Sequence, residues 1–543
     1  MIYKIFILFS LLISSFWSSA QQLSANNHIL LKTDRCNYIS GDDVMFSVMF
    51  DSNLPNNSGN DALIDITTID GRWITGSVTK IESGAVAGLI NLPDTLLTGY
   101  YNIRAYTCHP NTDNYYCSRE ILVINRFGNE PNHIFRNSNS KKEQRAQNGV
   151  IGLAKTDFAP REKLEIALSY QDTVSGTLRI VKRNQWADET AAVTGKCEPI
   201  SINEGYNPIA PYDGILVAGT VTDSVSGKPI SNAIVLISLQ DSIIRLKYDI
   251  TDSDGSFCVL LHNYYGLQQV FANAFSQRLE PIFNARIELK SQFDITTSDS
   301  PGLVDAYPVA DSAELDKAVI AKAFEIQPFA PVGISNRPET LYDHFVLGKP
   351  RHTVLTDDFI ALDNFKEITR EITPFIRLRK DKNGNPELRI VSDNGTVTPN
   401  PLLLVDGVPL TNLNLLMDKG STTIKRVDTQ NKPRNFGNIS FNNGIVAVWT
   451  HKLDFWENLH VPGTYRFVVQ GFQPPVTESV PAPSKDRLPD LRQTIYWNPL
   501  VNTAEQKSVS ATLSDETGEF VIEFFGIDRN GKIVSDYKLI NVR

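Results

Sequence analysis

The chain has 543 residues, a formal net charge of −9, 41% hydrophobic side chains and 21% charged ones. That length exceeds what one hydrophobic core serves, so several domains of about 100–150 residues are expected. The acidic balance lacks the clustered Lys and Arg that phosphate binding depends on, which excludes nucleic acid as a partner.

At the amino terminus Lys4 precedes an apolar run, residues 5–17, and a small-residue site, Ser18-Ser19-Ala20. Residues 1–20 read as a secretory signal peptide, with no cysteine at the site to accept a lipid. Later apolar runs are strand-length, short of the roughly 20 residues a membrane helix needs. No transmembrane segment is expected in the mature chain. Five cysteines (Cys36, Cys108, Cys117, Cys197, Cys258) in an exported chain permit disulfides, and the odd count leaves one unaccounted for. Cys108 and Cys117 flank a short polar stretch between two strand-like runs. They are either a hairpin staple or two separate packing residues.

Short β-branched and aromatic runs, separated by Gly, Asn, Asp and Pro, predict a mainly β chain of tandem β-sandwiches. In residues 28–127, Val44, Phe46 and Val48 alternate as a strand with one buried face. This segment resembles the macroglobulin-like sandwich of the alpha-2-macroglobulin family. The opening matches through Thr33, Asp34, Arg35, Tyr38, Gly41, Asp42, Val44 and Phe46, and the closing through Leu92, Pro93, Gly99 and Tyr101. That family's thioester requires a Cys-Gly-Glu-Gln segment. Only Cys197-Glu198-Pro199 comes near it, so covalent trapping is not implied. After a polar linker, Lys155-Thr156-Asp157-Phe158, Arg161-Glu162 and the alternating Leu164, Ile166 and Leu168 echo the same opening. A second, divergent macroglobulin-like sandwich is expected over residues 149–212.

Residues 213–290 resemble the carboxypeptidase regulatory-like domain through Gly219, Val221, Gly227, Pro229, Ala233 and the turn at Thr251, Asp252, Gly255 and Phe257. Asp252 and Asp254 suit a hairpin turn better than calcium, since the further ligands of a calcium loop are missing. Residues 291–350 form a connector with a helix at 313–327, stopped by Pro328. A second helix is predicted at 362–372. Residues 351–453 resemble a TonB-dependent receptor plug, a small α+β domain. The resemblance lies in the apolar strand before Asp406-Gly407-Val408-Pro409 and in the later strand at Gly444-Ile445-Val446. A receptor barrel needs about 22 strands of roughly 10 residues, far more than follow Thr450. The expectation is a plug fold used without a barrel of this chain's own. Residues 461–543, with Tyr496-Trp497-Asn498-Pro499 and two alternating strands around Asp515 to Gly518, predict a C-terminal Ig-like or macroglobulin-like sandwich. The whole order resembles an exported, multidomain family of Bacteroidota.

No H-x-x-x-H, H-E-x-x-H, G-x-S-x-G or phosphate-loop spacing occurs. The sequence therefore assigns no catalytic, cofactor-binding or metal-ligating residue and no cofactor. Asp406 follows four apolar residues, where burial would raise its pKa, yet Asp before Gly is turn chemistry. Tyr496 and Trp497 are either an exposed aromatic interaction surface or core. The expectation is a non-enzymatic scaffold or interaction module of the cell envelope. It would be exported to the periplasm or cell surface, associated with the outer membrane and in contact with protein partners there, such as a barrel complex. The alternative is a substrate-binding accessory for glycan or peptide uptake with a TonB-dependent system.

Overall fold

The computed structural model describes residues 29–50, 61–81, 84–107, 116–127, 135–137, 148–183, 214–262, 264–293, 303–305, 319–320, 322, 348–473, 489–530 and 532–543. They fall into two compact units. One holds the described residues of 1–210, 295–332 and 475–543; the other holds those of 211–294 and 333–474.

The first unit begins with a sandwich of three strands over five. Ile29–Thr33, Asp43–Phe50 and Ala85–Asn91 form one sheet. The other runs in the order Asn37–Ile39, Tyr116–Ile124, Gly99–Thr107, Asp61–Thr68 and Trp73–Lys80, its first pair parallel. Val44, Phe46, Val48 and Phe50 point into the core between the sheets. The opposite face of that strand is buried too: Met49 packs with Leu30, Phe525 and Ile527. The alternation expected there, one face buried, becomes two, because a second sandwich covers the outside.

That second sandwich corrects the linear domain reading. Residues 149–212 and 461–543 do not make two domains; their strands make one. Ile151–Leu153, Lys163–Leu168 and Ser508–Thr512 form a three-stranded sheet. The facing sheet runs Asp157–Phe158, Ile533–Val542, Gly518–Asp528, Val174–Lys182 and Thr494–Asn502, and its first pair is again parallel. Strand for strand this is the topology of the first sandwich. Leu164, Ile166, Leu178 and Ile180 share a core with Val509, Phe520, Ile522 and Val534. The physical reason is closure. Lys163–Leu168 buries every second residue, so it needs an opposing sheet, and most of that sheet is encoded at the carboxyl end of the chain.

The equivalence extends to single hydrogen bonds. Leu92 N donates to the Asp42 carbonyl at 2.8 Å, and Leu513 N donates to the Glu162 carbonyl at 3.1 Å. Asp42 Oδ2 accepts from Ile39 N at 2.9 Å, and Glu162 Oε2 accepts from Ala159 N at 2.8 Å. The turn residue before each acid is left-handed: Gly41 at φ 86° and Arg161 at φ 59°. Glycine adopts that region freely, whereas a side chain there is strained. In the first sandwich the fourth and fifth strands are joined by residues 69–72. In the second, residues 183–493 intervene between Val174–Lys182 and Thr494–Asn502, yet Lys182 N still donates to the Gln493 carbonyl at 2.8 Å. The second sandwich is interrupted by a large insertion whose two ends meet at a hairpin position, the kind of loop that tolerates one.

The inserted unit combines the segments whose sequences resemble a regulatory-like domain and a receptor plug, called regulatory-like and plug-like for that resemblance alone. Gly214–Asp223, Ser256–His262 and Ala285–Leu289 form one sheet. The other is Arg245–Ile250, Ile234–Leu239, Leu267–Phe275 and Thr464–Gln470. Thr464–Gln470 was expected in the carboxy-terminal sandwich and belongs here instead. The plug-like segment folds as an α+β layer. His352–Leu355, Ile424–Gln430, Ile445–Thr450, Leu402–Val405 and Val408–Pro409 make its sheet, and Leu402–Val405 runs parallel to Ile445–Thr450. The helix forms at Phe365–Glu371, shorter than the 362–372 expected. Its N-cap Asn364 accepts from Glu367 N, which satisfies one orphan donor of the first turn, and Glu367 accepts in return from the N–H of Asp363, one residue before the cap, much as in a capping box. Phe365 and Ile368 lie in the plug core, which runs on past residue 453 to Phe455, Trp456 and Val461. Leu404, Phe441 and Trp449 pack against Leu236, Leu246 and Phe275, so the two segments share a core.

The signal peptide lies outside the described residues, as does most of the connector helix, of which Val319, Ile320 and Lys322 are helical. No helix among the described residues is long and apolar enough to cross a membrane.

Candidate functional site

The macroglobulin-like opening motif builds a joint between the two sandwiches. Asp34 is fully buried. Its Oδ1 accepts from Tyr38 Oη at 2.8 Å and Met45 N at 3.2 Å. Its Oδ2 accepts from Arg35 Nε at 3.2 Å and from Thr494 Oγ1 at 2.8 Å, in the second sandwich. Four donors fill the acceptor positions a carboxylate has. Burial nonetheless pushes the Asp34 pKa up, against the pull of Arg35 and the donors. Beside it Glu523 receives Lys32 Nζ at 2.7 Å and Arg179 Nε at 2.6 Å. Arg179 Nη1 also donates to the Asp34 carbonyl at 2.7 Å. Within the first sandwich, Arg104 and Tyr106 similarly hold Asp65, whose pKa burial raises. These charged groups hold strands and sandwiches together.

Asp406 is likewise a structural carboxylate. It sits at φ 47° before Gly407 at φ 84°. Both are left-handed, as a two-residue type I′ hairpin between Val405 and Val408 requires. Its Oδ1 accepts from Thr450 N and its Oδ2 from Thr450 Oγ1, each at 2.7 Å, which ties the hairpin to the neighbouring strand. Burial raises its pKa while Thr450 pulls it down. At the regulatory-like turn, Asp252 Oδ1 and Asp254 Oδ1 both accept from Ser256 N. Asp252, Ser256 and its own position in the turn hold Asp254 down to about 2.

Tyr496 and Trp497 are both 0% exposed. They are not an interaction surface. Tyr496 joins the core of the interrupted sandwich, and Trp497 pairs across the sheet with Arg179. The two residues pair in regular register and point to opposite faces of the sheet, and both faces are covered, which alternation alone could not foretell. Cys117 is buried opposite Ala105, while Cys108 lies outside the described residues, and with it the proposed pair.

One cleft of about 730 Å³ opens in the inserted unit, between the loop after Leu267–Phe275 and the loops of the plug-like layer. Its size falls within the range of about 300–1,000 Å³ usual for small-ligand sites. The floor is apolar: Phe275, Leu388, Leu410 and Phe441 are buried. The rim carries six asparagines, 385, 400, 412, 414, 442 and 443, with Gln277 and Arg278. No carboxylate, lysine or histidine occurs among the described lining residues. Such walls bind through hydrogen bonds and apolar contact and offer no group for acid–base or metal chemistry. The sequence reading missed this cleft. Its asparagines stand in turns, where Asn is common for its own backbone reasons, so no local signal separates a turn asparagine from a ligand-binding one.

No protein-family model matches the chain, and no curated protein matches it. Among solved structures it is similar to native E. coli alpha-2-macroglobulin, at 10% identity and TM-score 0.24 over 96% of this chain and 40% of that one. It is also similar to a Salmonella alpha-2-macroglobulin mutant, at 11% identity and TM-score 0.24 over 95% and 39%. A third is the Yersinia pseudotuberculosis adhesin InvE, at 12% identity and TM-score 0.14 over 49% and 60%. The chain spans about 40% of the length of the alpha-2-macroglobulin structures. The mainly β class rests on the sheets themselves, not on likenesses of this size.

Proposed function

We propose that this chain is an exported, non-enzymatic β-rich scaffold of the cell envelope that works at the outer membrane through contacts with protein partners, a barrel complex among them. The observation carrying this reading is how the buried charges are used. Asp34, Asp65, Asp406 and Glu523 each fasten strands or sandwiches together, so the ionisable groups serve rigidity. Rigid sheets in series present loops and strand edges, surfaces on which partners dock by contact or by strand addition. The test is crosslinking in cells followed by affinity purification from membranes. An outer-membrane barrel protein crosslinked to the chain supports the reading; recovery of the chain only from cytoplasm, with no envelope protein attached, refutes it.

The cleft favours a second reading, a substrate-binding accessory for glycan or peptide uptake. The regulatory-like and plug-like segments are packed into one body, and the cleft lies where they meet.

A further inference from the structure

The geometry points to the cleft of the inserted unit as a binding site for a neutral oligosaccharide, an inference that rests on the substrate-binding reading and names its ligand class. The first argument is the match of functional groups. A carboxamide carries two donors and an acceptor on one small group, and a sugar hydroxyl likewise donates and accepts. With one guanidinium, Arg278, and no carboxylate among the described lining residues, the walls give an ionised ligand little to pair with.

The second argument is availability. Asn400 and Asn442 sit on the rim with side-chain amides that make no hydrogen bond among the described residues. At the mouth Phe283 is 60% exposed. A large aromatic ring held in water beside an apolar floor suits the C–H face of a pyranose.

The third argument disfavours a peptide. Strand addition requires free backbone groups at an edge. Leu402–Val405 is paired with Ile445–Thr450 on one side and Val408–Pro409 on the other. Pro386–Val391 lies between Ile376–Lys380 and Val397–Pro399. The edge strands that do line the cleft, Val408–Pro409 and Ile439–Phe441, are only 2 and 3 residues long, and Pro409 has no N–H, so they offer little backbone to an added strand. Recognition at this cleft falls to side-chain amides.

The experiment is isothermal titration of the full mature chain with maltohexaose, cellohexaose, mannohexaose and xylohexaose. A galacturonate hexamer and an extended Pro-rich peptide serve as anionic and peptide arms. At least one neutral hexamer is expected to bind. The Asn400→Ala/Asn442→Ala double variant should weaken it about tenfold or more, as the loss of two or three hydrogen bonds implies, and Phe283→Ala should weaken it about fivefold. All three residues are exposed, and circular dichroism checks that the variants stay folded. Absence of binding by every neutral hexamer at about 10 mM, where even weak millimolar sites show, overturns the inference. So does binding that the variants leave unchanged, or binding confined to the galacturonate or the peptide. The envelope reading stands or falls separately. A hexamer bound by a chain that crosslinks to no outer-membrane protein keeps the sugar site and refutes that location, and shortening of the hexamers refutes the non-enzymatic reading alone.

Discussion

Replacing Glu523 by Gln tests whether buried charge holds the two sandwiches together. Lys32, Arg179 and Glu523 are at most 3% exposed, and the carboxylate bonds both cations at 2.7 and 2.6 Å. The substitution keeps volume and removes the negative charge that Lys32 and Arg179 share in a water-poor joint. Removing one partner of a buried pair costs about 3–5 kcal/mol, because the remaining charge is uncompensated. For a body of about 150–250 residues each kcal/mol lowers Tm by roughly 2–4 °C, which gives a drop of about 6–20 °C. Differential scanning calorimetry measures it, and hydrogen exchange in peptides covering Val174–Lys182 assigns the shifted transition to this unit. An all-apolar replacement, Lys32→Met with Arg179→Met and Glu523→Leu, should recover most of the loss, since well-packed apolar groups often equal or exceed a buried ionic cluster. A change below about 1 kcal/mol in Glu523→Gln, the worth of an exposed pair, would refute the reasoning.

Trp497→Ala should destabilise the interrupted sandwich by about 3–5 kcal/mol, the cost of emptying a buried indole site, and leave any hexamer affinity unchanged. Chemical denaturation and titration read the two effects. Gly407→Ala should cost the inserted unit about 2 kcal/mol or more, because φ 84° is strained for alanine and the added Cβ would stand 2.9 Å from the Leu239 carbonyl. Asp406→Asn has a pH signature. Burial raises the folded pKa of Asp406, so its contribution is fully present below the unfolded value near about 3.9 and is lost as pH rises through the folded one. The asparagine does not titrate. Its destabilisation, read by urea midpoints, should be larger at about pH 3.5 than at pH 7, and an unchanged or reversed difference would contradict the assignment.

Much of this fold is legible along the chain. Alternation marks Asp43–Phe50 and Lys163–Leu168, Asp406-Gly407 marks a hairpin, and Asn364 with Glu367 marks a helix start. Strand pairing between remote segments is another matter. The strands from Ser508 onward lie more than 300 residues from Val174–Lys182, in the half-sandwich they complete. Nothing local tells Thr464–Gln470 that its neighbour is Leu267–Phe275. Burial of both Tyr496 and Trp497, on opposite faces of one strand, depends on what covers each face of the sheet, a tertiary fact. The cleft is less legible still, because it is made by loops of two segments that meet only in the folded unit.

The account turns on the second sandwich being one domain interrupted by an insertion. The direct test deletes residues 184–488, joining residue 183 to residue 489 through a two-residue Asn-Gly turn, and follows cooperative unfolding. The chord is short, since Lys182 N and the Gln493 carbonyl are 2.8 Å apart. The account predicts a folded protein with one sharp transition and protected amides in both Val174–Lys182 and Gly518–Asp528. A chain in which those strands exchange freely, or in which residues 489–543 fold alone without 148–183, would contradict it.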